Sequence, residues 1–329
     1  MHKMRIAIAG TGSIGRRHID QLQILLSEVQ WVFLRDHGKS DDYSNLLGAE
    51  VFTGLQSALS RDIDALIIAT PSSKHADLIA LGLAADLPMY IEKPVLTNRC
   101  QLQTLRQLLS VKETIPQTQV GCNLRFLPSL QRLKDLVGQG VIGRIVRASF
   151  DSGQWLPDWR PHQDYRKSYS ADPDSGGGVL FDLIHEIDAA YWILGELIPL
   201  ACAVENVPCL DIKSESVATA LLRSHDGCLV QIGLDYIARS PLRRYQLVGE
   251  MGTLTWDLSS KSLTLATQNE TSIVECGVDA FDVSSTYYLA MKSFCNSFRF
   301  HYPLVQPLDE GIAVSEISIA LKEMAESKC

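Results

Sequence analysis

Residues 10 to 15 read GTGSIG, and they stand between a short apolar run, RIAIA, and a segment whose apolar residues recur at helical spacing from Ile14 to about Leu26. No other feature narrows the fold as much. In such a motif the first glycine permits a tight turn, the second lets the backbone approach a pyrophosphate, and the third lets the helix pack close to the strand. The phosphates then meet the helix N-terminus. Gly10, Gly12 and Gly15 hold those positions, and Ser13 and Ile14 between them are further candidate cofactor contacts. A lone motif of this kind is also a plain glycine-rich turn. The flanking strand and helix, and the pattern that follows, are what point to a dinucleotide.

That pattern runs to about Gly121. WVFLR, DALIIATP, MYIEKP and QTQVGCN are short apolar runs separated by amphipathic stretches. ALIIA is apolar at every position, as strands of a parallel sheet are when helices cover both faces. The expectation is an α/β domain of Rossmann type, a doubly wound parallel sheet, over residues 1–122. After Asn123 the grammar changes: a helical segment (Pro128 to Val137), the strand-like IVRASF, a long irregular stretch, and a helix from about Gly178 to Leu194. SVATALL, CLVQIGLDYI after the Asp226-Gly227 turn, YQLVG and GTLTWDL then alternate in polarity across short connections, which predicts an open, mostly antiparallel sheet. Helical stretches from Ser284 to Phe298 and Leu308 to Ser327 complete an α+β domain over 123–329.

A length of 329 residues accommodates two cores. The formal net charge of -8, with both signs interspersed, lacks the basic face that nucleic acid or an anionic membrane would select. The cysteines, Cys100, Cys122, Cys202, Cys209, Cys228, Cys276, Cys295 and Cys329, are scattered without CxxC or His-x-Cys spacing. They read as reduced thiols, and no metal site is expected. The N-terminus is too poor in apolar residues for a secretory signal, and no apolar run approaches bilayer length. A cytoplasmic protein acting on small molecules fits these limits.

The cofactor end offers further candidates. About 20 residues past the glycines an acid would bind the adenosine ribose, and here Arg35 precedes Asp36. Arg35 suits a 2'-phosphate and NADP; Asp36 suits a 2'-hydroxyl and NAD. Counting from Gly15 puts Arg35 in the selecting position, a slight preference for NADP. Thr70, Pro71 and Ser72 fall at the carboxyl edge of the sheet, where such folds bind ligands, and His75 is either a cofactor contact or a helix-start residue. IEKPV sets Glu92, Lys93 and Pro94 where a buried strand ends, which reads as a charged turn or as part of a site.

In GGGVLFDLIHEID, Leu180, Ile184, Ile187, Tyr191 and Leu194 form one helical stripe, and Asp182 and His185 share the opposite face. Phe181 and Trp192 lie on or beside that face, which suggests a lined cleft. An imidazole suits proton transfer near neutrality and a carboxylate can orient it. His185 is therefore the candidate general base, and Asp182 its orienting partner or a sugar-hydroxyl acceptor. Gly176 to Gly178 either let backbone approach ligand or cap the preceding loop. Residues 155–174 interleave aromatics with cations. Trp155, Tyr165, Arg160, Arg166 and Lys167, with Arg125 in NLRF, suit a sugar bearing a carboxylate or phosphate, although the aromatics equally suit pinning the loop.

With GTGSIGRRH, ATPSSKH, EKP and GGGVLFDLIHEID in this order, the chain resembles the glucose-fructose oxidoreductase, inositol dehydrogenase and rhizopine-catabolism (Gfo/Idh/MocA) family over nearly its whole length. The resemblance implies an NAD(P)-dependent oxidoreductase of sugars, sugar nucleotides or polyols, with a Rossmann domain and an open-sheet substrate domain. It also implies a homodimer or homotetramer associating through that sheet. It places Lys93 beside nicotinamide and substrate, where an ammonium stabilises developing alkoxide charge, with Glu92 and Pro94 fixing the local backbone. Relatives that use tightly held NAD for non-redox cleavage or epimerisation, and sensors without catalysis, are the alternatives. One departure is that Asp182 and His185 are separated by two residues where many members have three. The shorter DLIHEID form is similar to a subset that looks like oxidoreductases of surface-sugar pathways.

Overall fold

The computed structural model describes residues 3–159 and 161–327, so Arg160 and Cys329 lie outside the described residues. The chain divides into two compact units, Met1–Cys122 with Tyr287–Ile312, and Asn123–Thr286 with Ala313–Cys329. Tyr287–Ile312 was expected in the second domain and falls instead in the first unit.

The first unit is built on β1 (Met4–Ala9), β2 (Val29–Leu34), β3 (Glu50–Phe52), β4 (Ala65–Ile68), β5 (Met89–Ile91) and β6 (Thr118–Val120). They form one parallel sheet in the order β3-β2-β1-β4-β5-β6. Ile6, Ile8 and every residue of β4 are wholly buried, as strands covered on both faces must be. Strand order reverses between β1 and β4, which is where such sheets open a ligand crevice at their carboxyl ends. At the β6 edge, the Val120 N–H donates to the Gln306 carbonyl (2.9 Å). Gln119 Nε2 donates to the Ala290 carbonyl (2.8 Å), and Ser297 Oγ to Gln117 Oε1 (2.6 Å). The late segment thus satisfies backbone and amides that a bare edge would leave open.

The second unit carries β7 (Ile145–Gly153), β8 (Leu197–Glu205), β9 (Val217–Ser224), β10 (Leu229–Asp235), β11 (Leu242–Gly249), β12 (Thr253–Asp257), β13 (Ser262–Ala266) and β14 (Thr271–Cys276). Their order is β14-β13-β12-β11-β7-β10-β9-β8, antiparallel throughout except for the parallel pair β7 and β10. β8 had no counterpart in the sequence reading because Pro199 interrupts it. An edge strand tolerates proline, and the register shifts there. One face of the sheet holds a ladder of rings, Phe150 against Tyr245 and Tyr245 against Trp256 (4.8 Å each). Trp256 Nε1 donates to Ser129 Oγ (2.9 Å), which gives the buried indole its partner.

The helix expected from Gly178 to Leu194 is two helices, Val179–Asp182 and His185–Leu194. Leu183, at φ -95° and ψ 33°, leaves the helical region between them. The stripe argument fails here because Val179, Phe181, Leu183, Ala189 and Ala190 are buried as well as Leu180, Ile184 and Ile187. A segment buried on all sides, with Asp182, Glu186 and Asp188 among its buried residues, presents no single packing face.

Candidate functional site

In the first unit, the glycine loop after β1 separates protein-imposed glycines from one that is not. A Cβ on Gly10 (φ +92°) would run into the Ala69 carbonyl, and one on Gly15 into the Gly10 carbonyl. Gly12 differs: at φ -72° any residue is tolerated, and nothing lies within 4 Å of its Cβ position. The protein's own packing does not require this glycine; a group that must approach the backbone does. The helix Ser13–Leu25 starts at Gly12 without a side-chain cap or an acid in its first turn, so its leading N–H groups suit an anion. Across the switch point, Thr70 Oγ1 at the end of β4 is buried with no partner in the protein. An open cradle, uncapped amides and an orphaned hydroxyl together fit a dinucleotide phosphate group. Pro71 beside it is exposed and Ser72 buried.

Two guanidinium groups converge on Thr11. Arg35 Nη2 donates to Thr11 Oγ1 (3.3 Å) and to Asp41 Oδ1 (2.9 Å), while Arg16 Nε donates to the Thr11 carbonyl (3.2 Å). Each also lies over an aromatic ring, Arg35 over Phe33 (5.4 Å) and Arg16 over Tyr43 (4.2 Å). The sequence reading missed Arg16, whose position inside the GTGSIGRRH motif was the available signal. Asp36 turns outward to Lys74, and that hydrogen bond holds its carboxyl below the usual range.

His75, read as a possible cofactor contact, is wholly buried: Nδ1 lies 2.8 Å from the Pro94 carbonyl and Nε2 3.0 Å from the Thr70 carbonyl. Burial pushes its pKa down despite these two acceptors. Glu92, expected at the cofactor, directs Oε1 to Nε2 of the wholly buried His18 (2.7 Å). His18 had no assigned role in the sequence, although it ends the same motif. Pro94 follows a cis peptide bond, and Lys93 between these residues is half-buried.

In the second unit, Asp182 is 9% exposed, and its Oδ2 accepts from Ser170 Oγ (2.6 Å) and from the Tyr236 hydroxyl (3.2 Å). Burial, then the Asp182 charge, pushes the Tyr236 phenol well up, so it stays a donor. His185 is half-buried at the start of its helix. Phe181, expected to line a cleft, is core, 1% exposed. Gly177 and Gly178 serve the fold. A Cβ on Gly177 would strike the carbonyls of Tyr169, Ser170 and Asp172, and one on Gly178 (φ +104°) would overlap the Glu215 carboxylate. Burial raises the Glu215 carboxyl, with Lys322 Nζ 3.8 Å away opposing the shift.

Arg125 was expected to meet substrate. It is 1% exposed, and its Nε and Nη2 reach both oxygens of Asp188 at 2.7 to 3.2 Å. Beside it, Glu186 is wholly buried and paired with Arg243 (2.7 Å). In the loop, Trp155 is half-buried beneath Arg239, 3.5 Å from its ring centre, and Tyr165 is half-buried. Arg166 is exposed and held by Asp164 (2.9 Å), on the rim of a depression of about 530 Å³ shared with Lys167 and Lys213. Among the described residues there is no cluster of His, Cys, Asp or Glu that could hold a metal ion, and no helix long and apolar enough to cross a membrane.

Comparison with known proteins agrees with this division. Residues 4–121 match the oxidoreductase family with an NAD-binding Rossmann fold, and residues 130–255 match the GFO/IDH/MocA C-terminal domain. The chain is 24% identical over 325 residues to an uncharacterized oxidoreductase, sll0816, of Synechocystis, covering 93% of this chain and 78% of that protein. It is 29% identical over 200 residues to scyllo-inositol 2-dehydrogenase (NAD(+)) of Bacillus subtilis, covering 59% of this chain and 55% of the enzyme. Levoglucosan dehydrogenase in complex with NADH shares the fold at a TM-score of 0.84 and 17% identity, covering 99% of this chain and 98% of that one. An Agrobacterium radiobacter oxidoreductase in complex with NAD+, L-tartaric acid and magnesium does so at 0.80 and 19%, covering 100% and 98%. With both parts matched in order, this chain belongs to the Gfo/Idh/MocA oxidoreductase family, whose N-terminal part is an NAD-binding Rossmann fold.

Proposed function

We propose that the protein moves a hydride between a nicotinamide cofactor and a hydroxyl- or keto-bearing carbon of a sugar, sugar nucleotide or polyol. The observation that carries this reading is the open space at Gly12 at the start of an uncapped helix, together with the orphaned Thr70 hydroxyl at the end of β4. Relatives named as scyllo-inositol 2-dehydrogenase, levoglucosan dehydrogenase and UDP-N-acetylglucosamine 3-dehydrogenase support the substrate class. The DLIHEID segment supports a place in surface-sugar biosynthesis.

The loop Gly10 to Gly15, with Ser13 and Ile14 amides, would hold the pyrophosphate, and Thr70, Pro71 and Ser72 would border the nicotinamide half. Arg35, turned to the glycine loop through Thr11 while Asp36 points to Lys74, supports the slight preference for NADP over NAD. Bound there, the cofactor supplies a hydride acceptor or donor. In the oxidising direction His185 takes the hydroxyl proton as the carbon gives up hydride and the carbonyl forms. Asp182, whose Oδ2 already accepts from two O–H donors, accepts from a substrate hydroxyl. The Lys93 ammonium stabilises negative charge on the reacting oxygen. Trp155, Tyr165 and Arg166 would contribute to substrate binding from the loop.

A homodimer or homotetramer through the sheet of the second unit belongs to the same reading. Ile198, Leu221, Leu229 and Leu242 lie on the sheet face opposite the ring ladder, each 39% to 57% exposed. Light scattering on the purified protein tests it. Calorimetric titration with NADH and NADPH, followed by a panel of inositols and UDP-sugars with free NAD(P)+, tests the reaction. Gly12→Val should abolish dinucleotide binding; unchanged binding in that variant, or none in the wild type, sinks the reading.

A further inference from the structure

We infer that His18 is a positioning residue for Lys93, acting through the Glu92 carboxylate; this rests on the proposed role of Lys93. His18 lies on the sheet-facing side of the helix Ser13–Leu25, with Gly15, Ile19 and Leu22 buried beside it. Its ring meets Tyr90 edge-on at 5.0 Å, and Nε2 reaches Glu92 Oε1 at 2.7 Å. Nδ1 is buried with no partner in the protein. A proton there would be an orphaned donor, so the network assigns the proton to Nε2, donating to the carboxylate.

Glu92 continues β5, its N–H donating to the Ile68 carbonyl (2.9 Å). By holding Glu92, His18 fixes one side of the backbone from which Lys93 leaves, just past the carboxyl end of β5. On the other side of Lys93, the Pro94 carbonyl is met by His75 Nδ1 at 2.8 Å. Both neighbours of the lysine are therefore engaged by buried imidazoles, and the lysine is the half-buried residue between them. This also accounts for an acid at the end of a buried strand: it is a grip.

The test compares His18→Leu, which removes the donor, with His18→Gln, which keeps one. Lysines are reductively methylated with a carbon-13 label, and the Lys93 resonance is assigned by its loss in Lys93→Met. In His18→Leu the Lys93 signal should move to the position and width of exposed lysines. Turnover of a substrate identified from the polyol panel should fall about 100-fold, the usual consequence of a catalytic group displaced by an ångström, while the NADH dissociation constant holds. His18→Gln should keep the wild-type signal and most turnover. If His18→Leu does not fold, Glu92→Leu removes the acceptor of the same hydrogen bond and should move the same signal. An unmoved signal, a His18→Gln variant as impaired as His18→Leu, or loss of NADH binding in parallel overturns the proposal. If Lys93→Met keeps full turnover, the role of Lys93 falls, and the resonance still decides whether His18 positions it.

Discussion

Replacing Asp188 by Asn should be among the most damaging single changes in the second unit, although it removes one charge and almost no volume. The side chains of Arg125 and Asp188 are 1% and 2% exposed and meet through three N–H···O contacts. A guanidinium does not shed its proton to escape burial, so the variant leaves a full charge facing a neutral amide. Breaking a buried pair in this way costs about 3–5 kcal/mol. At roughly 2–4 °C per kcal/mol for a unit of this size, the midpoint of its thermal transition should fall by about 6–20 °C. The double change Arg125→Met with Asp188→Leu should recover most of that loss, because two apolar side chains carry no desolvation cost. Scanning calorimetry of the three proteins reads both effects. A change in KM of no more than about twofold in the double variant is expected if Arg125 makes no substrate contact. An Asp188→Asn protein melting with the wild type, or a double variant less stable than the single one, would refute the reasoning.

Arg35→Ala should weaken NADPH binding far more than NADH binding in calorimetric titration; equal losses, or none, move the preference to NAD. Burial depresses the His75 pKa, so the folded state binds fewer protons than the unfolded chain below about pH 6.5. Stability should therefore rise with pH through that window and level off above it, and His75→Gln should flatten the acidic slope of the melting temperature; an unchanged slope assigns it to other groups. Lys93→Met should cut turnover about 100-fold to 1000-fold with dinucleotide affinity nearly intact. His185→Asn should slow turnover and remove an ionisation near neutrality from the pH profile, and a variant that retains that ionisation loses the base assignment.

What could be read from sequence alone was whatever obeys a local rule. Gly10, Gly12 and Gly15 answer to one turn, and the alternation around ALIIA answers to burial on both faces, so the first sheet was legible strand by strand except for the short β3. The misplaced residues have partners far along the chain. Arg125 looked like a free cation because Asp188 lies 63 positions away, and His18 carried no signal because Glu92 lies 74 positions away. Gly178 stayed open between ligand approach and a loop cap because the carboxylate filling its missing side-chain volume belongs to Glu215. The break between Asp182 and His185 was hidden because the segment is buried on every side, Asp182, Glu186 and Asp188 included, so its periodicity marks no packing face.

The first unit takes its helix and edge-covering strand of chain from Tyr287–Ile312, long after β6. During synthesis, β6 therefore leaves the ribosome with Gln117, Gln119 and Val120 lacking the partners that Ser297, Ala290 and Gln306 later provide. The nucleotide-binding half, although encoded first, cannot close until the chain has been made as far as Ile312, by which point the whole sheet of the second unit has emerged. A nascent chain stalled after β14 should accordingly expose Tyr90 and the β6 edge to chaperones, and a fragment ending at Cys122 is an unfinished unit rather than a minimal one.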